Sequence, residues 1–190
     1  MTERIWFSSD NHFFHKNIMK FCPQTRFGES VEQMNELMIE AHNAKVQKQD
    51  RVYFLGDFCF SNAQDTENVL KRLNGHKHLV YGNHDKVLKS NRHLQNYFES
   101  VQDYKEIVID KQKVVMFHFP MREWNSMHHG SYHLFGHVHG GLDHEVVGRS
   151  MDVGIDTRVP ADMAPWSWEE IHQILSKREI KTHHGNSKNL

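Results

Sequence analysis

Short apolar runs that stop at a polar residue recur along the first half of the chain. The runs at 4–10, 51–55 and 78–81 each have the character of a buried strand, and each ends at an aspartate or at a glycine followed by a polar residue. Apolar residues between these runs follow helical spacing, which predicts helices over 30–47 and 64–73, the first capped by a serine hydroxyl. Strands that alternate with helices predict parallel pairing through crossover connections.

The second half of the chain is richer in strand patterns. Apolar runs at 104–109 and 114–117 flank a polar turn and predict a hairpin. Further strands are predicted at 133–135 and 149–153, and Ser167 begins a capping box for a final helix. The pattern as a whole predicts an α/β (α+β) fold, with two packed sheets and helices outside them.

Length and charge restrict the classes of protein that fit. At 190 residues we expect one domain over 1–190, with a flexible tail at 183–190. The formal net charge of −1 provides no overall field for nucleic acid or an anionic membrane. No apolar run approaches the about 18 residues of a membrane span, and no signal segment is visible, so we expect a cytoplasmic protein without a membrane partner. Cys22 and Cys59 lack a C-x-x-C neighbour, which disfavours a disulfide framework or a thiolate zinc site.

Histidine is over-represented, with 17 in 190 residues, and five of the histidines fall in short polar segments at predicted strand ends. The segments are Asp10-Asn11-His12, Gly56-Asp57, Gly82-Asn83-His84-Asp85, His118 and Gly136-His137-Val138-His139. Side chains at i and i+2 leave the same face of an extended backbone, so each D-x-H or H-x-H pair can bind one ion. Each segment alone is ordinary turn or surface chemistry. Their joint occurrence at strand ends predicts a metal centre.

The types of ligand indicate two divalent transition-metal ions. Asp57 is the candidate bridge, because a carboxylate can give one oxygen to each ion. Asn83 offers a neutral amide oxygen and His118 a further imidazole. Nitrogen and oxygen ligands without thiolate suit Mn, Fe, Zn, Co or Ni, and we favour manganese. The glycines before Asp57, Asn83 and His137 allow tight turns and leave room for metal and substrate.

The ordered series D-x-H, G-D, G-N-H-D, H and G-H-x-H, from Asp10 to His139, resembles that of the calcineurin-like metallophosphoesterase superfamily, in particular a small bacterial or phage branch of it. The resemblance implies a four-layer sandwich of two mixed β-sheets flanked by α-helices. It also implies a ligand set for each metal: Asp10, His12, Asp57 and His139 for the first, and Asp57, Asn83, His118 and His137 for the second. His84 would be the acid beside the scissile bond, and Asp85 would orient it.

The implied reaction is in-line attack on phosphorus by a hydroxide that bridges two metal ions. Protein phosphatases of the superfamily carry arginines after the G-D and G-N-H motifs, whereas this chain has Phe58-Cys59-Phe60 and Lys86-Val87-Leu88 there. This difference favours a phosphodiesterase that acts on a small nucleotide-like or cyclic phosphodiester. Two alternatives stay open, namely a phosphomonoesterase or pyrophosphohydrolase on a small phosphorylated molecule, and a non-catalytic scaffold. Nucleic acid is not favoured as a partner because no basic stripe is visible, and monomer and homo-oligomer are not distinguished.

Candidate substrate contacts lie in the loops that follow the first motif and His118. They are Asn11, His15 and Arg26 in the first loop, and Arg122 and Trp124 in the second. An arginine can grip a phosphate through two hydrogen bonds, and a tryptophan can stack on a base. The alternative for both arginines is a structural ion pair, and the alternative for Trp124 is a place in the core.

Overall fold

The computed structural model describes residues 3–142 and 145–182, so the tail predicted at 183–190 lies outside the described residues. Within these ranges the strands are β1 (Ile5–Ser8), β2 (Arg51–Phe54), β3 (His76–Val80), β4 (Ser100–Gln102), β5 (Tyr104–Ile109), β6 (Gln112–Phe117), β7 (Tyr132–Phe135), β8 (Ser150–Asp152) and β9 (Trp166–Ser167). The α-helices are α1 (Ile18–Phe21), α2 (Val31–Lys45), α3 (Ala63–Arg72), α4 (Lys86–Ser90), α5 (Arg92–Gln95) and α6 (Trp168–Leu175). None of the helices in the described ranges has the length and apolarity that crossing a membrane requires.

The first sheet has five strands in the order β4-β3-β2-β1-β9. β1 to β4 pair in parallel, as the alternation of strands and helices predicted, and only β9 runs antiparallel to its neighbour. Parallel strands end at the same edge of a sheet. The loops that follow β1, β2 and β3, which carry Asp10, Asp57 and Asn83, therefore leave the sheet side by side.

The second sheet has four strands in the order β5-β6-β7-β8. The predicted hairpin is β5 and β6, paired antiparallel from Tyr104↔Phe117 to Ile109↔Gln112. Its turn is only Asp110 and Lys111, both with positive φ (48° and 68°), as in the type I′ turns whose twist matches that of the flanking strands. β6, β7 and β8 pair in parallel, so both sheets are mixed. The carboxyl ends of β6 and β7 lead into His118 and the His137 segment.

Apolar residues pack on both faces of the first sheet, because successive side chains of a strand point to opposite faces. Val52 and Phe54 join a cluster with Met38 of α2 and Leu70 of α3. Phe7, Tyr53, Leu134 and Val114 form a second cluster, which brings the two sheets together and includes Trp168, Ile171 and Leu175 of α6. The structure thus consists of two mixed sheets with flanking helices.

The helix starts follow the predicted caps. Ser30 accepts a hydrogen bond from the Gln33 N–H (3.2 Å), but the Gln33 side chain accepts from the Glu29 N–H (2.7 Å), one residue before the cap. At Ser167 both bonds of the capping box are present. The sequence reasoning missed α1, α4, α5, β4 and β9, since elements of two to five residues are too short to show a period.

We predict that this protein loses stability as the pH falls from 6.5 towards 4. His42, His78 and His133 are buried, and desolvation lowers the pKa of each imidazole to about 4. Below pH 6.5 these imidazoles bind a proton in the unfolded chain but stay neutral in the native state. Each histidine therefore lowers the free energy of unfolding by roughly 2 kcal/mol at pH 5. Urea unfolding at pH 8 and pH 5 measures this loss. His42→Leu should show a shallower pH slope, and an unchanged slope would contradict the assignment.

Candidate metal centre

The predicted ligand segments meet at the carboxyl edge of the two sheets, in a backbone conformation that the sequence did not reveal. Five residues of these segments have left-handed φ angles: Asp10 (54°), His12 (50°), Asp57 (53°), His137 (72°) and His139 (49°). A non-glycine residue in this region is strained by roughly 1 kcal/mol or more, and such strain clusters at functional sites. Asp10 and His12 do converge on one group of ligand atoms, whereas His137 and His139 fall in two different groups. Our premise of an extended backbone at these pairs is also wrong.

The first group of ligand atoms comes from Asp10, His12 and His139. His12 Nε2 lies 3.6 Å from Asp10 Oδ1 and 3.3 Å from His139 Nε2, and the third side of the triangle, His139 Nε2 to Asp10 Oδ1, is 3.7 Å. These separations suit three ligands around one transition-metal ion, whose bonds to nitrogen and oxygen are about 2.0–2.2 Å.

The second group comes from Asp57, His118 and His137, with Asn83 beside them. His118 Nε2 lies 3.5 Å from Asp57 Oδ2 and 3.1 Å from Asn83 Oδ1. The same Asp57 Oδ2 lies 3.9 Å from His12 Nε2 of the first group. The other carboxylate oxygen, Oδ1, accepts the His84 N–H (2.8 Å). A single oxygen of Asp57 therefore faces both groups, rather than one oxygen facing each.

Unsatisfied polar atoms show that these residues fit a cation. Asp10 is fully buried, and within the described residues its Oδ1 has no hydrogen-bond partner. The imidazoles are also oriented for metal binding. His118 Nδ1 lies 2.7 Å from the Leu55 carbonyl and His139 Nδ1 lies 2.7 Å from Asp156 Oδ2, so both bonds place the proton on Nδ1 and leave the Nε2 lone pair for a metal.

Electrostatics keep the two carboxylates charged. Burial raises the pKa of Asp10, but the neighbouring His12 imidazole, 3.6 Å away, and the positive charge of His139 and His118 when they are protonated outweigh it, so the pKa lies below its ordinary value. For Asp57 burial is likewise outweighed, first by the neighbouring His118, 3.5 Å away, and its pKa is also lowered. Both groups are anionic at neutral pH and available to a cation.

Arg26 lies behind the first group and is not exposed to the cleft. Its side chain is fully buried, and its guanidinium donates to both oxygens of Asp156 (2.7 and 2.6 Å). It also donates to the backbone carbonyls of Asp10 (2.6 Å) and Asn11 (2.8 Å). The predicted substrate contact at Arg26 is therefore replaced by a structural ion pair, because the guanidinium is occupied inside the protein.

Asp156 is a residue beside the candidate ligands that the sequence reasoning missed. It accepts hydrogen bonds from Thr25 (2.5 Å), from Arg26 and from His139, and these partners together with the Arg26 charge outweigh burial and lower its pKa. It follows β8 in no recognisable motif, and Arg26 and His139 lie 130 and 17 residues away along the chain. Only the fold reveals this contact.

We predict that Asp156→Asn weakens metal binding about 10- to 100-fold, as is typical when a partner that orients a ligand histidine is lost. The amide cannot hold the His139 Nδ1–H as strongly as a carboxylate does. Titration against a competing chelator measures the affinity. The matched control is Glu36→Gln, since Glu36 also pairs with an arginine (Arg72) but on the surface. Equal affinities for Asp156→Asn and Glu36→Gln would contradict the role.

Asp85 also differs from its predicted role. It is buried, and its oxygens accept the backbone N–H groups of Asp57 (2.9 Å), Phe58 (2.9 Å) and Gly82 (2.7 Å). The carboxylate therefore holds the G-D loop against the G-N-H-D loop instead of orienting the His84 imidazole. Gly82 itself packs so closely on the Asp57 carboxylate that any side chain there would collide with it.

The ligand groups lie in the floor of a cleft of about 450 Å³. The residues that line it are His12, His15, Ile18, Phe21, Cys22, Asp57, Phe60, His84, His137 and His139. His84 is exposed at this cleft, with its ring centroid 6.1 Å from that of His12. The motifs thus place a free imidazole beside the candidate metal ligands.

Of the five predicted substrate contacts, only His15 lines this cleft. Asn11 is buried, and its amide donates to the Ser8 hydroxyl (3.1 Å). Trp124 is buried in a cluster with Val115 and donates to the Ser131 carbonyl (3.2 Å), so it belongs to the core. Arg122 lines a different cavity, of about 340 Å³. The loops fold these side chains away from the metal ligands.

Comparison with known proteins gives the same assignment as the motifs. Residues 4–150 match the model of the calcineurin-like phosphoesterase superfamily domain. An uncharacterized protein of Methanocaldococcus jannaschii is 42% identical over 85 residues, which cover 44% of this chain, and the matched part spans only about half (47%) of that relative. The Gene 66 protein of Mycobacterium phage L5 is 26% identical over 180 residues, covering 80% of this chain and 86% of that protein.

A solved structure has a similar fold. The crystal structure of a protein of unknown function from Aquifex aeolicus superposes with a TM-score of 0.71 at 25% identity, and the alignment covers 91% of this chain and 100% of that one. The matched family model includes every ligand segment from Asp10 to His139. This protein therefore belongs to the calcineurin-like phosphoesterase superfamily.

Proposed function

We propose that this protein is a phosphodiesterase that uses two divalent metal ions to hydrolyse a small nucleotide-like or cyclic phosphodiester. Its superfamily is one of phosphoesterases. The observation that carries the proposal is the position of Asp57 Oδ2, 3.9 Å from His12 Nε2 and 3.5 Å from His118 Nε2. One carboxylate oxygen that faces two separate ligand groups can bridge a pair of neighbouring cations, which supports a two-metal site.

This geometry supports two ligand sets. Asp10, His12, Asp57 and His139 would hold the first ion, and Asp57, Asn83, His118 and His137 would hold the second. A mixed nitrogen and oxygen set suits Mn, Fe, Zn, Co or Ni, with manganese as our choice. When bound, such a pair of ions activates water and neutralises charge on phosphoryl oxygens.

The protein residues supply orientation and a proton. The His84 N–H donates to Asp57 Oδ1 (2.8 Å), which fixes the His84 backbone relative to the shared carboxylate. Its imidazole lies in the cleft, where we assign it to donate a proton to the departing alkoxide. Asp85 acts indirectly, because its carboxylate holds together the two loops that carry Asp57 and His84.

The charge of the cleft favours a diester. Among the described residues that line it there is neither a lysine nor an arginine, and the nearby Arg26 is occupied by Asp156. A phosphomonoester dianion or a pyrophosphate carries additional negative charge, which protein cations normally pair with. A diester has a single charge, for which two metal ions suffice.

The proposal is tested with metal-depleted protein reconstituted with Mn, Zn, Co, Ni or Fe. We expect binding of about two ions per chain and metal-dependent hydrolysis of bis(p-nitrophenyl) phosphate, with a kcat/KM about 10-fold or more above that for p-nitrophenyl phosphate. A preference for the monoester would replace the proposal by a phosphomonoesterase. Metal binding without turnover of either ester, of a pyrophosphate or of cyclic nucleotides would favour a non-catalytic scaffold.

A further inference from the structure

Aromatic side chains form one wall of the metal cleft. Phe60 and His15 stack face to face, with ring centroids 4.1 Å apart and planes 8° from parallel. Phe21 stands edge-on to His15 at 6.4 Å. We call Phe60, His15 and Phe21 the aromatic wall. All three line the same 450 Å³ cleft as the candidate metal ligands.

The outer end of the wall is exposed in a way that packing does not explain. Phe21 is 71% exposed at the end of α1, although Ile18 of the same short helix is buried in the core. A single exposed apolar residue is ordinary on a surface. Phe21, however, lines the same cleft as Phe60 and His15, the other two rings of the aromatic wall, which are half-buried, so its side chain extends an existing apolar surface into solvent.

The inner end of the wall contacts the proposed proton donor. The Phe60 ring centroid lies 4.6 Å from that of His84 and 4.9 Å from that of His12. A different aromatic residue, Phe119, contacts the second ligand group, with centroid distances of 4.6 Å to His137 and 5.0 Å to His118. The aromatic wall therefore begins at His84 and extends outward from it. In our assignment His84 is the residue that protonates the leaving group.

From these contacts we infer that the aromatic wall binds a planar aromatic ring on the leaving-group alcohol of the phosphodiester, as the base of a departing nucleoside would provide. The inference rests on the proposed function, because the side from which the leaving group departs is taken from the assignment of His84 as its proton donor. Within the described lining of the cleft there is no lysine or arginine, so recognition beyond the metal ions depends on aromatic and imidazole surfaces. Stacking is the interaction that such a surface offers to a base.

The kinetic test uses Phe21→Ala and two diesters that release the same p-nitrophenolate. In bis(p-nitrophenyl) phosphate the retained ester group is aromatic, and in methyl p-nitrophenyl phosphate it is not. We expect Phe21→Ala to lower kcat/KM about 10-fold, mainly through KM, on both substrates alike. A loss confined to bis(p-nitrophenyl) phosphate would place the ring on the retained side and overturn the inference. No loss on either substrate would also overturn it.

A binding measurement keeps this inference separate from the proposed activity. Calorimetry of the manganese-loaded protein compares phenylphosphonate with methylphosphonate, neither of which is a diester substrate. We expect wild type to bind the phenyl compound about 10-fold more tightly, and Phe21→Ala to lose this preference. Phe27→Ala is the matched control, because Phe27 is 41% exposed and does not line the cleft.

The kinetic test and the calorimetry distinguish an error in the proposed function from an error in this inference. If the protein hydrolyses no diester but the phenyl preference depends on Phe21, the proposed function is wrong while the wall still binds an aromatic ring. If diesters are hydrolysed and wild type binds both phosphonates equally, or if Phe27→Ala loses as much preference as Phe21→Ala, the aromatic wall is not a binding subsite.

Discussion

Replacement of Asp57 by asparagine is expected to remove most of the metal and to lower kcat/KM on a diester by about 10³-fold or more, an effect equivalent to several kcal/mol. Among the carboxylate oxygens of the described residues, Asp57 Oδ2 faces both ligand groups, so a single substitution weakens the binding of both ions. The amide oxygen of asparagine can still accept the His84 N–H, which preserves the local fold.

The decisive readouts for Asp57→Asn are elemental analysis of the purified protein and steady-state kinetics at saturating metal. Asp103→Asn serves as the control, because Asp103 is a strongly exposed aspartate (74%) that pairs with Lys89 on the surface. The control should retain wild-type metal content and activity. If Asp57→Asn also kept its metal and its kcat/KM, the two ligand groups would not share this carboxylate and the dinuclear proposal would be wrong.

Replacement of His84 by alanine is expected to lower kcat about 10²- to 10⁴-fold while the metal content stays at the wild-type level. His84 lies in the cleft but is not a member of either ligand group, so its loss removes the proton donor and leaves the cation sites intact. The effect should depend on the leaving group. An alkoxide needs a proton to depart, whereas p-nitrophenolate leaves readily without one.

A comparison of substrates separates this role from a purely structural one. His84→Ala should lose more activity on a 2′,3′-cyclic nucleotide than on bis(p-nitrophenyl) phosphate. His93→Ala is the matched control, since His93 is exposed and pairs with Glu67 on the surface away from the cleft. Equal losses on the two substrates, or loss of metal from His84→Ala, would count against a proton donor.

The sequence predicted the main elements and the ligand residues for the same physical reason. Apolar strands are visible as short runs, and in parallel sheets their carboxyl ends meet at one edge, so polar residues that follow several runs are brought together. Asp10, Asp57 and His118 could be named on this basis. The local rules also placed the caps of α2 and α6, because a cap depends on residues within one turn.

Other features depend on partners that are distant in the chain, and no local pattern reports them. Arg26 looked like a phosphate-binding arginine until the fold placed Asp156 against it, 130 residues away. Asp85 follows a motif histidine in sequence, yet its oxygens accept backbone N–H groups of the Asp57 loop, 27 and 28 residues earlier. The left-handed conformation of Asp10 and His12 likewise results from the surrounding structure.

The sequence of this protein was therefore enough to identify the candidate metal ligands, because ligand chemistry and strand ends are local properties. The tertiary structure alone decided which of the remaining polar and aromatic residues face the ligands. It placed Trp124 in the core, Arg26 behind the site and Phe21 at the mouth of the cleft. The physical reason is that burial and pairing are set by residues far apart in the chain, and these meet only when the two sheets pack.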